Sequence, residues 1–571
     1  MSRTVAEIVV DSLIKAGASR CYGIVGDTIN LFSDAVRRSD LRWIHVRHEE
    51  VGGFAAGGEA YMTGELAVCA GTAGPGSLHF VNGIFESHRN RAPVVLIASN
   101  VDRPQVGLDF PQEVDQKKVY EQCSVFCEYI SHPSQARRIT TLAAQAALTE
   151  RGVAVVIVNG DMFAEKDDDA VQWTVHRPRS ATVPLADELE RLAAEINGVR
   201  TVTIYAGYGA RDAHDSVVEL AGRLNAPVVH TTRAKEFIEP DNPCNVGMTG
   251  ILGNRAGMES IEAADLLLCI GTDFAWTQFY PPKARIAQID IDPAHLGRRH
   301  PVHLGLVGDA DATIRALLPL IEAKADRAHL DHALDRWAED REGYAKAAEE
   351  PDPTLIHPQF VAQELNRLAE EDACFTADGG SPQVWCLRHI AANGKRRFLI
   401  SLLHGTMANA YPTAMGISAA YPQRQVIAMC GDGGMTMLMG DLLTLKQENL
   451  PVKLLVFNNG SLGFVEMEQR VEGLLDSFTG LENPDFGALA KVCGLFGERV
   501  ESADALPAAM ERWLAHDGPA LLDVTVSRME LVMPPKVAAS QVASTVLFGV
   551  KAVLDGRARE VVALLKDNFL R

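Results

Sequence analysis

Val426-Ile427-Ala428-Met429-Cys430-Gly431-Asp432-Gly433-Gly434, followed by Leu454-Leu455-Val456-Phe457-Asn458-Asn459, decides how this chain is read. Each stretch is a short apolar run, with the length and composition of a buried strand, that ends on residues carrying oxygen ligands. In a parallel sheet both strand ends lie on the carboxyl edge, where ligands bind. Mg²⁺ takes a near-octahedral oxygen shell that phosphates help to complete, and Asp432 and Asn459 offer oxygens for it. Gly433 and Gly434 let backbone N–H groups approach a diphosphate, and a helix beginning near Met435 adds its positive end.

The same alternation of short apolar runs and longer helical patterns extends in both directions. Val426 to Met429, Val452 to Phe457 and Ala520 to Val526 predict strands of one unit. Upstream, Thr201 to Tyr205, Val228 to His230, Leu266 to Ile270 and Ile286 to Ile291 predict a second. Leu66 to Ala70, Val94 to Ala98 and Val153 to Val158 predict a first. The fold class is therefore α/β: three domains, each with a mainly parallel sheet flanked by helices, and a C-terminal tail. Boundaries are placed at 1–182, 183–334, 335–530 and 531–571. The polar passage Val175 to Pro184, the charged stretch Glu322 to Pro353 and the break Met533-Pro534-Pro535 mark the joins.

A chain of 571 residues is too long for one core. With 47% hydrophobic and 22% charged residues it has the composition of a folded globular protein. A formal net charge of −20, with no large basic cluster, argues against nucleic acid as a partner and for a small substrate. The ten cysteines show no paired metal spacing and read as reduced core thiols in a cytosol. Near the N-terminus Val5, Ile8, Val9 and Leu13 recur at helical spacing rather than as an export signal, and no run of about 18 apolar residues spans a membrane.

Gly-Asp-Gly followed by Asn-Asn at this separation resembles the signature of the thiamine-diphosphate-dependent enzymes, and the resemblance runs the whole length of the chain. It implies that Asp432, Asn459 and the carbonyl of Ser461 hold Mg²⁺. Gly433, Gly434, Gly460, Leu462, Gly463, Phe464 and Val465 would line the diphosphate side, with Gly380 and Ser381 of Asp378-Gly379-Gly380-Ser381 adding contacts. His404-Gly405-Thr406-Met407 resembles the stretch whose carbonyls hold the aminopyrimidine while an apolar side chain, here Met407, bends the cofactor. Arg47-His48-Glu49-Glu50 resembles the family's other half-site, with Glu49 sharing a proton with a ring nitrogen and so promoting loss of the thiazolium C2 proton.

The middle unit has no Gly-x-Gly-x-x-Gly. It is similar instead to the FAD-binding domain of pyruvate oxidases and acetolactate synthases. That similarity puts flavin contacts at Gly207, Gly209, Gly250, Ile251, Leu252, Gly253, Asp273, Phe274, Ala275, Trp276 and Thr277, with Asp290 on ribose. Within the family the resemblance is nearest to the bacterial pyruvate dehydrogenases that use a quinone, where Phe464 stands for a mobile aromatic beside cofactor and quinone. Acetolactate synthases typically carry tryptophan where this chain has Glu468. Gln112 is retained beside the substrate, but Pro111 stands where relatives place a phenylalanine, with Phe110 one residue earlier.

Drawn as a helix from Arg557, the tail puts Ala558, Val561, Val562, Leu564, Leu565 and Phe569 on one face, and its basic residues outnumber the acidic ones. Such a helix can lie in an anionic lipid interface. The expectation is a homo-oligomer, a tetramer by resemblance, in which the cofactor bridges the first domain of one subunit and the third of another. It sits on the cytoplasmic face of the membrane and passes electrons from pyruvate through FAD to ubiquinone or menaquinone. An oxygen-using pyruvate oxidase and an acetolactate-synthase-like carboligase stay open as alternatives.

Overall fold

The computed structural model describes residues 2–281, 283–349, 354–528, 530, 548, 551 and 552. Three six-stranded sheets, parallel throughout, organise it. The first contains β1 (Arg20–Gly23), β2 (Arg42–His45), β3 (Ala67–Gly71), β4 (Val94–Asn100), β5 (Phe126–Ile130) and β6 (Val153–Asn159) in the order β2-β1-β3-β4-β6-β5. The second contains β7 (Val202–Ala206), β8 (Val228–His230), β9 (Asn245–Met248), β10 (Leu266–Ile270), β11 (Arg285–Asp290) and β12 (Leu304–Val307), ordered β9-β8-β7-β10-β11-β12. The third contains β13 (Cys374–Ala377), β14 (Arg397–Ile400), β15 (Val426–Gly431), β16 (Val452–Asn458), β17 (Phe496–Val500) and β18 (Ala520–Thr525), ordered β14-β13-β15-β16-β18-β17. The first and third sheets thus share one strand order, and the second has the doubly wound dinucleotide-binding order.

The expectation of three α/β units with parallel sheets holds. Central strands such as β4, β6 and β16 are buried along their whole length, as their unbroken apolar runs require. The strands not anticipated are β1, β2, β5, β8's partner β9, β12, β13, β14 and β17. Most are only four residues long, and several carry polar side chains on exposed edges, so no apolar run announces them.

Five helices position the site, α1 (Glu49–Thr63), α3 (Ser381–His389), α4 (Ala410–Ala420), α5 (Asp432–Leu438) and α6 (Gly463–Val471), and α2 (Ala328–Ala347) lies between the second and third units in sequence. Every residue of α1 except Glu50 and Thr63 is buried, because the helix is clasped between its own sheet and α4. Small residues make this possible: a Cβ on Gly416 of α4 would lie 1.8 Å from the carbonyl oxygen of Ala55, and one on Gly58 would lie 2.4 Å from that of Thr413. One apolar cluster consequently runs from Tyr22, Phe54 and Phe80 of the first unit to Tyr411, Met415 and Ile417 of the third. The second unit has a separate core around Leu192, Ile204 and Leu268. The charged stretch after Glu322 contains α2, which keeps only Leu330 and Ala333 fully inside.

All ten cysteines are unpaired, and eight are buried. Among the described residues no helix is long and apolar enough to cross a membrane. The tail helix from Arg557 lies outside the described residues. Three residues of the 531–571 segment are described, and Phe548 is buried with the Arg470 guanidinium 5.4 Å above its ring.

Candidate active site

β15 delivers Asp432 to the carboxyl edge of the third sheet, and β16 delivers Asn459 beside it. The helix anticipated near Met435 begins three residues earlier: Gly431 is the cap, and Asp432, Gly433 and Gly434 form the first turn of α5. The glycines are therefore part of a helix start, where unpaired N–H groups converge. Asp432 is 3% exposed. One of its oxygens accepts from Gly433 N at 2.8 Å, and the other accepts from Gly460 N at 2.7 Å and from Asn483 Nδ2 at 2.8 Å. Burial pushes this carboxyl above its ordinary range, with the Gly433 and Gly460 N–H groups pulling the other way.

Among the described residues no cationic side chain is shown pairing with Asp432. A buried carboxylate in that state fits a bound cation. The donor set (Asp432 carboxylate, Asn459 amide, Ser461 carbonyl) is all hard oxygen, as Mg²⁺ requires. Among the described residues no group of three or more His, Cys, Asp or Glu forms a rival metal cluster. The loop carrying Asn459 to Gly463 is fixed from outside: Leu481 N donates to Gly460 O and Leu462 N to Thr479 O, each at 2.8 Å. Ser461 Oγ also donates to buried Glu466, which is held in turn by Arg470 and Arg528. Asn483 and Glu466 carry no local motif, so only the fold shows them.

Met407 projects toward this turn. A Cβ on Gly433 would stand 2.8 Å from Leu462, 3.1 Å from the Met407 methyl and 3.3 Å from Leu481, so three apolar side chains converge where the resemblance puts the bend in the cofactor. Gly405 and Ala408 both have left-handed φ, at 74° and 63°, which turns the Gly405–Thr406 backbone out of the sheet edge. Gly380, also with positive φ, caps α3, and Ser381 begins that helix.

On the first unit, Glu49 opens α1 with 6% exposure, and its Oε2 lies 2.9 Å from His79 Nδ1. The His79 ring stacks on His48 with centroids 4.7 Å apart. Beside Glu49 runs the turn Gly74-Pro75-Gly76: a Cβ on Gly76 would lie 3.5 Å from Glu49 Oε1, and one on Gly74 would lie 2.7 Å from Gln112 Cβ. Gln112, exposed and at φ 72°, therefore shares the neighbourhood of Glu49. Phe110, 39% exposed, sits in a loop that Glu113 closes by accepting from Gly107 N and Phe110 N.

Asn82 joins the two half-sites. Its Nδ2 donates to Glu50 Oε1 at 2.7 Å and to Thr406 Oγ1 at 3.1 Å, and its Oδ1 lies 2.7 Å from His404 Nε2. Glu49's helix and the Met407 turn thus meet within one chain, whereas the sequence resemblance implies that the first unit of one subunit meets the third unit of another. Phe464 is half-buried on the third core, whereas Val465 faces outward at 44% exposure. His79 and Asn82 were not anticipated, since their roles depend on partners distant in sequence.

In the second unit, Gly207 follows β7 and Gly271 follows β10, the two strands at the switch point of the sheet order. Gly207 and Gly209 spend their N–H groups on Ile270 O and Gly271 O, both at 2.9 Å. Their first role is the close approach of two turns. Gly250 faces Phe274, whose ring packs edge-on to Tyr205. Leu252 and Gly253 carbonyls accept from Arg388 of α3, which ties the Gly250-Ile251-Leu252-Gly253 turn to the helix that Ser381 begins. Asp273 pairs with Arg298 and Arg299. It precedes Phe274-Ala275-Trp276-Thr277, of which Trp276 is 47% exposed. Asp290 is buried and accepts from Asp292 N and His295 Nδ1. The doubly wound order of this sheet, with the exposed Trp276 ring near its switch point, is an arrangement that fits a dinucleotide.

Comparison with known proteins matches three stretches to thiamine pyrophosphate enzymes: the N-terminal TPP binding domain at 3–119, the central domain at 189–317 and the C-terminal TPP binding domain at 378–524. YdaP of Bacillus subtilis, described as thiamine pyrophosphate-containing, is 34% identical over 572 residues, 99% of each chain. The pyruvate oxidase of Lactiplantibacillus plantarum is 29% identical over 529 residues, 90% of this chain and 86% of its own. The large subunit of acetolactate synthase isozyme 2 of Escherichia coli is 28% identical over 540 residues, 93% of this chain and 96% of its own.

Proposed function

The chain belongs to the thiamine pyrophosphate enzymes, and from that premise we propose that it oxidatively decarboxylates pyruvate: pyruvate, water and a quinone give acetate, carbon dioxide and the quinol. Bound thiamine diphosphate supplies the nucleophilic carbon and the electron sink for decarboxylation, and FAD the two-electron relay. The observation that carries the reading is the link through Asn82, which bonds Glu50 beside Glu49 and Thr406 beside Met407, while the Met407 methyl meets the Gly433 turn next to Asp432.

In this reading Asp432, Asn459 and Ser461 hold Mg²⁺, and Gly433, Gly434, Gly460 and Ser381 receive the diphosphate. Glu49, oriented by His79, holds and returns the proton that activates the cofactor. Gln112 meets the substrate from the Gly74 turn. The Gly207 and Gly271 turns at the sheet's switch point, Trp276 and Asp290 hold FAD. The 531–571 tail docks a homo-oligomer, a tetramer, to the cytoplasmic face of the membrane, where ubiquinone or menaquinone is reached. The pyruvate oxidase and acetolactate synthase relatives are 29% and 28% identical to the chain, so overall identity does not choose between oxidation and carboligation. Glu468, in the place where acetolactate synthases carry tryptophan, supports oxidation.

Product analysis tests this. Acetate with quinone reduction that anionic vesicles stimulate and removal of residues 557–571 abolishes supports the reading. Acetolactate as the product would replace it with a carboligase, and peroxide formation in air at the same rate with an oxygen-using oxidase.

A further inference from the structure

Asp378 is the first residue after β13, at the point in the third sheet where β13 and β15 run side by side and the chain order departs in opposite directions. It is 2% exposed. Its backbone N–H donates to Met429 O at 3.1 Å. Its two carboxylate oxygens then part company: Oδ1 accepts from Ala410 N at 2.9 Å, and Oδ2 accepts from Gly431 N at 3.1 Å. Ala410 directly follows the Gly405–Asn409 turn, and Gly431 caps the helix carrying Asp432 to Gly434. One side chain therefore spans the two segments that the thiamine site needs at a fixed separation.

The carboxylate is seated from the far side as well. A Cβ on Gly434 would lie 2.2 Å from Oδ2, which leaves glycine the only residue that fits beside it. The titratable groups facing it, Tyr411 and Cys430, are both pushed up by burial and so stay neutral. Burial drives Asp378 itself up to about 7, against the N–H groups of Ala410, Gly431 and Asn409. Among the described residues no cationic side chain is shown beside it, a costly state for a buried carboxyl, and only a group with two separate acceptor oxygens satisfies two diverging N–H donors.

We propose that Asp378 is a positioning residue for thiamine diphosphate, holding the Gly405–Met407 turn and the Asp432–Gly434 turn at their working separation before the cofactor arrives. The proposal rests on the thiamine reading of this site. Asparagine at this position keeps the shape but presents one acceptor and two donors, so one turn loses its tether.

The test uses full-length wild type and Asp378→Asn, with cofactor affinity read by tryptophan quenching at saturating Mg²⁺ and carbon dioxide release from pyruvate at saturating cofactor. The expected result is a thiamine diphosphate Kd raised about tenfold or more, one buried N–H being left unpaired. A lower kcat that excess cofactor does not restore accompanies it, with the KM for pyruvate unchanged. A folded variant that matches wild type in Kd and kcat, whatever its melting temperature, overturns the assignment. Should the variant not fold, amide exchange in the cofactor-free wild type decides: protected Ala410 and Gly431 amides support the tether, and free exchange of both until cofactor is added overturns it. A wild type that binds no thiamine diphosphate overturns the underlying reading and the assignment together.

Discussion

Glu49, buried against His79 at the start of α1, makes the sharpest single-residue prediction. Replacing it with glutamine keeps the hydrogen-bonding shape but removes the proton-holding group. Decarboxylation should fall by about 10²- to 10⁴-fold, while thiamine diphosphate binding changes little; paired turnover and binding titrations check this. Asp432 and Asn459 were legible as candidate ligands from the sequence, because a strand that ends on an oxygen-bearing side chain is a local pattern. His79, Asn82 and Asn483 were not, because each acts on a residue tens to hundreds of positions away.

Glu239 gives a pH prediction at the same scale. Burial alone would raise its carboxyl, but Lys235 at 2.7 Å and the neighbouring His230 prevail and hold it down to about 2, against an ordinary 4.5. A depressed acid contributes stability above its unfolded value, and that stability is lost as pH falls from about 4.5 toward about 2. Urea midpoints should therefore drop more steeply across that window for wild type than for Glu239→Gln.

At the scale of elements, the contact between α1 and α4 is set by small residues. Gly416→Ala places a methyl 1.8 Å from the Ala55 carbonyl, a backbone atom that has no rotamer to escape into. The loss should reach about 3 kcal/mol or more, measured by urea unfolding, with the thiamine half-sites loosening as α1 shifts. Arg47-His48-Glu49-Glu50 had signalled a half-site through resemblance, yet the physical meaning of the small residues in the helix that follows, two helices in backbone contact, emerges only when α4 is in view. Long apolar strands such as β4, β10 and β16 were read within a residue or two. Four-residue strands such as β1, β13 and β14 were not, because their pairing with neighbours, not their own pattern, makes them strands.

For the whole molecule, three parallel sheets were visible as alternating apolar and helical patterns, but their strand orders were not. The first and third sheets share one strand order, and a single apolar cluster running through α1 and α4 joins their units. If the metal ties them through the cofactor, removing Mg²⁺ with a chelator should release thiamine diphosphate and lower the melting temperature, and restoring it should return both. At a hundredfold excess over Kd the ligand contributes about 2.7 kcal/mol, an effect that calorimetry resolves.

The most direct test of the central claim is the absorbance of protein-bound flavin when pyruvate is added without oxygen, in the presence of thiamine diphosphate and Mg²⁺. Oxidative decarboxylation predicts rapid bleaching with one carbon dioxide released per flavin, absent in Glu49→Gln. A flavin that stays oxidised while pyruvate is consumed would contradict it.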